Sequence, residues 1–198
     1  MTSRNPALVF ARNFLRYPKV LGSAVPSSRF LVDELLRHVD WSEARLIVEY
    51  GPGVGTVTGE ILRRMRPDAR LIAIELNGEF VDFLGANYPD PRLRVVRGSA
   101  LEVDTFLHEA ARSEPPPAST PWGQADAIVS GIPFSTISLD LRERILSKSY
   151  QVLGPGGRLL VYQFSRAVLP HLRVNFREIR EEFVPFNILP ARVYCCTK

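Results

Sequence analysis

Cysteine is almost missing from this chain: Cys195 and Cys196 are its only two, and they are neighbours. Adjacent cysteines build no disulfide framework and offer no metal-ligand spacing, so a reducing cytosol suits the chain and no metal is expected. No apolar run reaches the about 18–20 residues of a membrane span. The start carries no expected signal peptide, because Arg12 and Arg16 interrupt its apolar stretch. Strong charge of one sign is missing too. A net charge of +4 with a pI near 9.3 mildly favours an anionic partner but names neither nucleic acid nor membrane. There are no internal repeats. What remains is 198 residues with 45% hydrophobic and 23% charged content, enough for one domain with a real core and too apolar for wholesale disorder.

Along the chain the pattern is regular. Residues 6–19 read as a short amphipathic helix, with Phe10, Phe14 and Tyr17 on one side and Arg12, Arg16 and Lys19 on the other. "GSAVPSS" is a connector whose last serine can cap a helix over 28–39, with Phe30, Leu31, Leu35 and Leu36 as its apolar stripe. Strands and helices then alternate: "RLIVEY", a helix over 56–65, "RLIAIEL", a helix over 78–87, "LRVVRG", a helix near 101–112. "RSEPPPASTP" is a proline-rich loop. "ADAIVS", a helix over 138–153 and "RLLVYQFS" follow, and the tail holds two extended runs around Pro185–Pro190, a closing antiparallel pair. Such alternation predicts an α/β fold, a parallel sheet with helices on both faces.

The chemistry gathers at "EYGPGVGTVT". Gly51, Gly53 and Gly55 let the main chain turn sharply and approach a ligand, and the helix after them offers free N–H groups to an anion. Glu75 ends the second strand, twenty residues beyond Gly55, the usual spacing for a carboxylate that accepts both hydroxyls of an adenosine ribose. A dinucleotide fingerprint spaces its glycines G-x-G-x-x-G; here the third glycine's place holds Thr56. A methionine carboxylate is a smaller anion than a pyrophosphate, so S-adenosylmethionine fits better than a nicotinamide or flavin.

The glycine loop, the ribose acid, "RGSA" after strand three, "SGIPF" after strand four and the terminal pair occur in the order of the class I S-adenosylmethionine-dependent methyltransferases, which the chain resembles. Within that class it looks most like the bacterial phospholipid N-methyltransferases, which build phosphatidylcholine from phosphatidylethanolamine. "FLRYPKVLGSAVPSSR", "EYGPGVGTVT", "SGIPF" and "YQFS" with "NILPARVY" carry this likeness, from about Phe10 to Tyr194. It implies a Rossmann-like, doubly wound seven-stranded sheet whose last strand is antiparallel, plus N-terminal amphipathic helices. Residues 1–40 would cover the cofactor and touch the membrane; 41–198 would form the S-adenosylmethionine-binding domain. The ribosomal RNA adenine dimethyltransferases are related, but they carry N-[LP]-P-[YF] where this chain has Ser130 to Phe134. Their C-terminal helical domain does not fit into 198 residues, so nucleic acid is not the expected partner. An RNA adenine or small-molecule acceptor is the alternative.

The resemblance implies a cofactor set of Glu49, Gly51, Gly53, Gly55, Glu75, Leu76, Ser99, Ala100 and Ser130, with Ser99 standing where an acid often binds the adenine amino group. The expected acceptor side is Ser130, Gly131 and Phe134. Ser130 and the loop carbonyls would aim an amine lone pair, and Phe134 would hold a methylated ammonium by cation–π attraction. The same residues also suit a strand-end turn and a core aromatic. Tyr162, Gln163 and Arg166 sit at the mouth of strand five, where ligands collect in open α/β sheets. Arg166, His171 and Arg173 suit a lipid phosphate or a solvated loop. Phe10, Phe14, Arg12, Arg16 and Lys19 could rest on anionic head groups, or the helix could pack over the sheet edge. The expected location is cytoplasmic, peripheral to the membrane.

Overall fold

A computed structural model describes residues 28–113, 123–187 and 189–198. The amphipathic helix expected over 6–19, with its aromatic and basic faces, and most of the proline-rich loop lie outside the described residues.

Among the described residues six helices and seven strands follow one another: α1 (Arg29–Leu36), β1 (Leu46–Tyr50), α2 (Thr56–Arg64), β2 (Arg70–Glu75), α3 (Gly78–Asn87), β3 (Leu93–Arg97), α4 (Val103–Ser113), β4 (Ala125–Ser130), α5 (Leu139–Val152), β5 (Leu153–Gln163), α6 (Leu169–Asn175), β6 (Glu178–Val184) and β7 (Ala191–Thr197). They form one seven-stranded sheet in the order β3-β2-β1-β4-β5-β7-β6. All pairs through β5 are parallel, and β7 runs antiparallel between β5 and β6. The expected doubly wound sheet with a reversed last strand is what forms.

Period-two alternation gives each face its own core. Leu46, Val48 and Tyr50 point to the side covered by Val103 and Leu107 of α4, Ile145 and Leu146 of α5, and Leu172 of α6. Ile47, Leu71 and Val129 point to the side covered by Leu31, Leu35 and Leu36 of α1 and by Val57 and Ile61 of α2. Cys195 and Cys196 are buried on opposite faces of β7.

Two expectations need correction. In α1 the Ser28 side chain caps Leu31 N as foreseen, but the buried stripe is Leu31, Val32, Leu35 and Leu36. Phe30 falls on the far side of the turn and is 59% exposed. The run after Ser165 is no solvated loop. It is a short 3-10 turn leading into α6, where Pro170 takes the position a helix start tolerates and Val168 and Leu172 enter the core.

Candidate active site

The first parts of the site come from the ends of β1 and β4, where the chain leaves adjacent strands. Gly51 N donates to the Ile74 carbonyl at 2.9 Å, and Gly131 N donates to the Tyr50 carbonyl at 2.8 Å. The two loops therefore lie against each other. A Cβ on Gly131 would stand 2.9 Å from the Gly51 carbonyl oxygen and 3.3 Å from the Tyr162 hydroxyl, so only glycine allows this approach.

The glycine loop is braced from outside. Gly55 caps α2 at φ +83, and a Cβ there would meet the Tyr88 ring at 2.5 Å. Tyr88, at the end of α3, donates its hydroxyl to the Gly55 carbonyl at 2.8 Å. Its role was not anticipated, since an aromatic before a proline looks like any helix terminus. Nothing among the described residues lies within 4 Å of where a Gly53 Cβ would stand, so that glycine opens onto the crevice.

Across the crevice Glu75 ends β2. Its carboxylate accepts Gly53 N at 3.1 Å through one oxygen and Asn77 N at 2.9 Å through the other. Both oxygens are thus fixed in direction and keep lone pairs for further donors. Burial lifts this carboxyl above its ordinary value against the pull of the Asn77, Gly53 and Leu76 amides. Beside it Leu76 is 70% exposed, an apolar face where a flat aromatic ring can rest. A bare backbone bend, a helix start that no described side chain caps, a fixed carboxylate and a flanking leucine fit an adenosine with an amino-acid tail.

Not every expected site residue reaches the crevice. Glu49 is buried between β1 and α2, where it accepts the Thr58 hydroxyl at 2.7 Å, so it shapes the loop from beneath. Ser99 spends its hydroxyl on Leu101 N in a capping box with Glu102, and Ala100 is buried under that turn. Ser130 is fully buried, with its Oγ 3.3 Å from Ile132 N. Phe134 is 1% exposed in the α5-side core, and its carbonyl accepts Arg142 Nε at 2.9 Å. A sealed ring offers no face to a substrate ammonium in this arrangement, so the burial of Phe134 favours the core-aromatic reading over the cation–π one, and the burial of Ser130 favours the strand-end turn.

Tyr162 and Gln163 do sit at the mouth of β5, and both are buried. Gln163 Nε2 donates to the Ile132 carbonyl at 2.8 Å, clamping the loop after β4. Arg166 is locked in a two-pronged pair with Glu181 at 2.9 and 3.1 Å. His171 lies 3.5 Å from Glu143, and Arg173 is exposed. The Arg166 charge is therefore compensated within the fold by Glu181.

Solved structures share this architecture at low identity. TrmN from Thermus thermophilus has a TM-score of 0.58 at 20% identity, covering 92% of this chain and 52% of that one. "PigF with SAH" has a TM-score of 0.63 at 17% identity, covering 100% of this chain and 63% of that one. The sheet order is that of the class I S-adenosylmethionine-dependent methyltransferases. The sequence model for ribosomal RNA adenine dimethylase matches residues 10–168, and the chain belongs to that family. It is an S-adenosylmethionine-dependent N-methyltransferase.

Among curated relatives, the ornithine lipid N-methyltransferase of Singulisphaera acidiphila is 28% identical over 190 residues, 95% of this chain and 94% of that protein. The ribosomal RNA small subunit methyltransferase A of Clostridium perfringens is 36% identical over 103 residues, 49% of this chain and 33% of that protein. The stretch shared with that ribosomal RNA relative is thus about a third of its length.

Proposed function

We propose that the protein N-methylates the primary amine of a membrane lipid, either phosphatidylethanolamine on the way to phosphatidylcholine or a lipid with an ornithine-like amine. The observation that carries this is the end-to-end match with a lipid N-methyltransferase, which leaves hardly any residue of either chain unpaired. The departure from N-[LP]-P-[YF] at Ser130 to Phe134 supports it, because a flat adenine and a flexible amine need different clamps. In this reading Gly51, Gly53, Gly55, Glu75 and Leu76 hold the donor, whose sulfonium supplies the methyl group. The enzyme would work at the cytoplasmic face of the membrane.

Methyl transfer from a sulfonium is an in-line displacement, so placement supplies much of the rate. The acceptor must attack as a neutral amine, and at a pKa of about 10 only about one in a thousand is neutral at pH 7. A neighbouring positive charge lowers that pKa. Gly131 and Ile132, half-buried at the end of β4 and held by Tyr50 and Gln163, present the surface an amine would meet. Incubation with labelled donor and phosphatidylethanolamine or ornithine-lipid dispersions should place the label on the lipid amine. Label on ribosomal RNA with none on either lipid would overturn the reading in favour of the family's RNA activity.

Gly131→Ala should leave the fold melting within a few degrees of the parent while turnover drops at least about tenfold, since sub-ångström displacement at the reacting centre is costly. The clash is with backbone, the Gly51 carbonyl at 2.9 Å, so one of the two loops has to move. Steady-state kinetics with unchanged turnover would show that the contact between the loops is incidental.

A further inference from the structure

We infer that the tip joining β6 to β7, together with the start of α1, is a docking surface for an anionic phospholipid bilayer, beside the acceptor end of the crevice. The inference deepens the lipid reading and rests on it for the acceptor. Its evidence is topological first. Gln163, at the carboxyl end of β5, pairs with Arg192 at the start of β7, and Val184 pairs with Ala191. The tip therefore stands at the same end of the sheet as the glycine loop, on the half farther from β2 and Glu75. An acceptor entering between the tip and the β4 loop reaches the crevice without crossing the donor.

Apolar side chains crowd this end. Phe30 is 59% exposed, Phe183 56%, Phe186 72% and Leu189 49%. Single exposed apolar residues are ordinary, whereas several at one tip mark a contact surface. The tip is also braced. Ser28 N donates to Asn187 Oδ1 at 2.9 Å, Ser28 Oγ donates to the Phe186 carbonyl at 2.8 Å, and Asn187 Nδ2 donates to the Leu189 carbonyl at 2.9 Å. The rings of Phe30 and Phe186 meet at 5.8 Å, so α1 and the tip present their aromatics as one unit. A braced tip holds these side chains outward instead of letting them fold back.

Charge selects the occupant. "FVPFNILPAR" contains no carboxylate, and Arg192 lies 5.2 Å from the Phe183 ring. Arg29 is largely exposed next to Phe30. The nearest acids are all paired, Glu181 with Arg166 and Arg192, Glu182 and Glu34 with Arg37, and Asp33 with Arg64 and, at 3.8 Å, with Arg29, so no described acid near the tip stands without a cation. Aromatics on a basic ground suit the headgroup boundary of an anionic membrane.

The test uses the full chain and sedimentation with mixed phosphatidylcholine and phosphatidylglycerol vesicles. The double variant Phe183→Ser, Phe186→Ser should lose about tenfold or more of its vesicle partitioning, and Arg29→Glu should lose a smaller part that added salt mimics. Donor affinity by calorimetry should stay at the parent value in both. Equal sedimentation of the double variant and the parent would overturn the docking surface. Phe186→Trp adds a reporter over the background of Trp41 and Trp122, and its difference fluorescence should shift to the blue when vesicles are added. A blue-shifted reporter that ignores vesicles would instead mean that residues 1–27 or a second copy cover the tip. The two readings separate cleanly. Tip-dependent vesicle binding without methylation of any detergent-dispersed lipid removes the lipid function and keeps the docking surface, while methylation with tip-independent binding does the reverse.

Discussion

Replacing Glu75 by alanine should weaken donor binding by about a hundredfold, measured by calorimetry with S-adenosylhomocysteine. Hydrogen bonds to a charged partner contribute about 1.5–3 kcal/mol each, and two ribose hydroxyls would be lost together. The same change frees Gly53 N, which the carboxylate holds at 3.1 Å, so the loop over the donor loses a tether as well. Glu75→Gln should fall between the two, because one oxygen remains to accept and the charge is gone. Burial raises this carboxyl, so affinity should also fall as pH drops into the range just above the ordinary carboxyl value, earlier than for an exposed glutamate. A melting curve controls for folding; removing a buried carboxylate need not harm it. Affinity of the alanine variant within threefold of the parent would show that the ribose lies elsewhere and would undo the donor site with it.

That carboxylate was legible in the sequence because its signal is one of spacing: an acid ending one strand, a fixed distance beyond glycines ending another. Spacing along the chain survives folding whenever both residues sit on the same edge of a parallel sheet. The layering, helices on both faces of a largely parallel sheet, could be read for a related reason, since apolar runs alternating with amphipathic ones leave few ways to cover both faces. Ser130, Phe134 and Glu49 are buried beside the crevice, where the sequence could not choose between a site and a core place, because strand-end residues alternate between crevice and core and a shift of one residue decides which. Phe134 belongs to a 3-10 turn, where period two no longer applies, and its ring turned inward. Tyr88 and Gln163 act through contacts with residues more than thirty positions away, Gly55 and Ile132, which no local pattern reveals. The helix α6 was missed for a simpler reason. Its seven residues hold a proline and only two buried positions lead into and through it, too short a stretch for periodicity to show.

The donor loop should also carry a pH-dependent cost in stability, centred on Glu49. This carboxyl is buried under the glycine loop and pushed up to about 8 from an ordinary 4.5, mainly by burial and further by the charge of Glu75, against the Thr58 hydrogen bond. The folded state therefore keeps a proton that the unfolded chain releases near 4.5. Glu49's contribution is fully present below that pH, declines as pH rises toward about 8, and is flat above it. At 1.36 kcal/mol per unit the decline amounts to at most about 3 kcal/mol by pH 7. Glu49→Gln keeps an acceptor for Thr58 and carries no proton to lose. His38, whose pKa burial lowers, gives the opposite slope below 6.5, so the difference between variant and parent is the quantity to follow. That difference in melting temperature should grow in the variant's favour from pH 5 to pH 8, by several degrees at about 2–4 °C per kcal/mol. Parallel melting profiles for the two proteins across this window would mean that Glu49 is ionised in the fold, with a buried partner other than Thr58 sharing its charge.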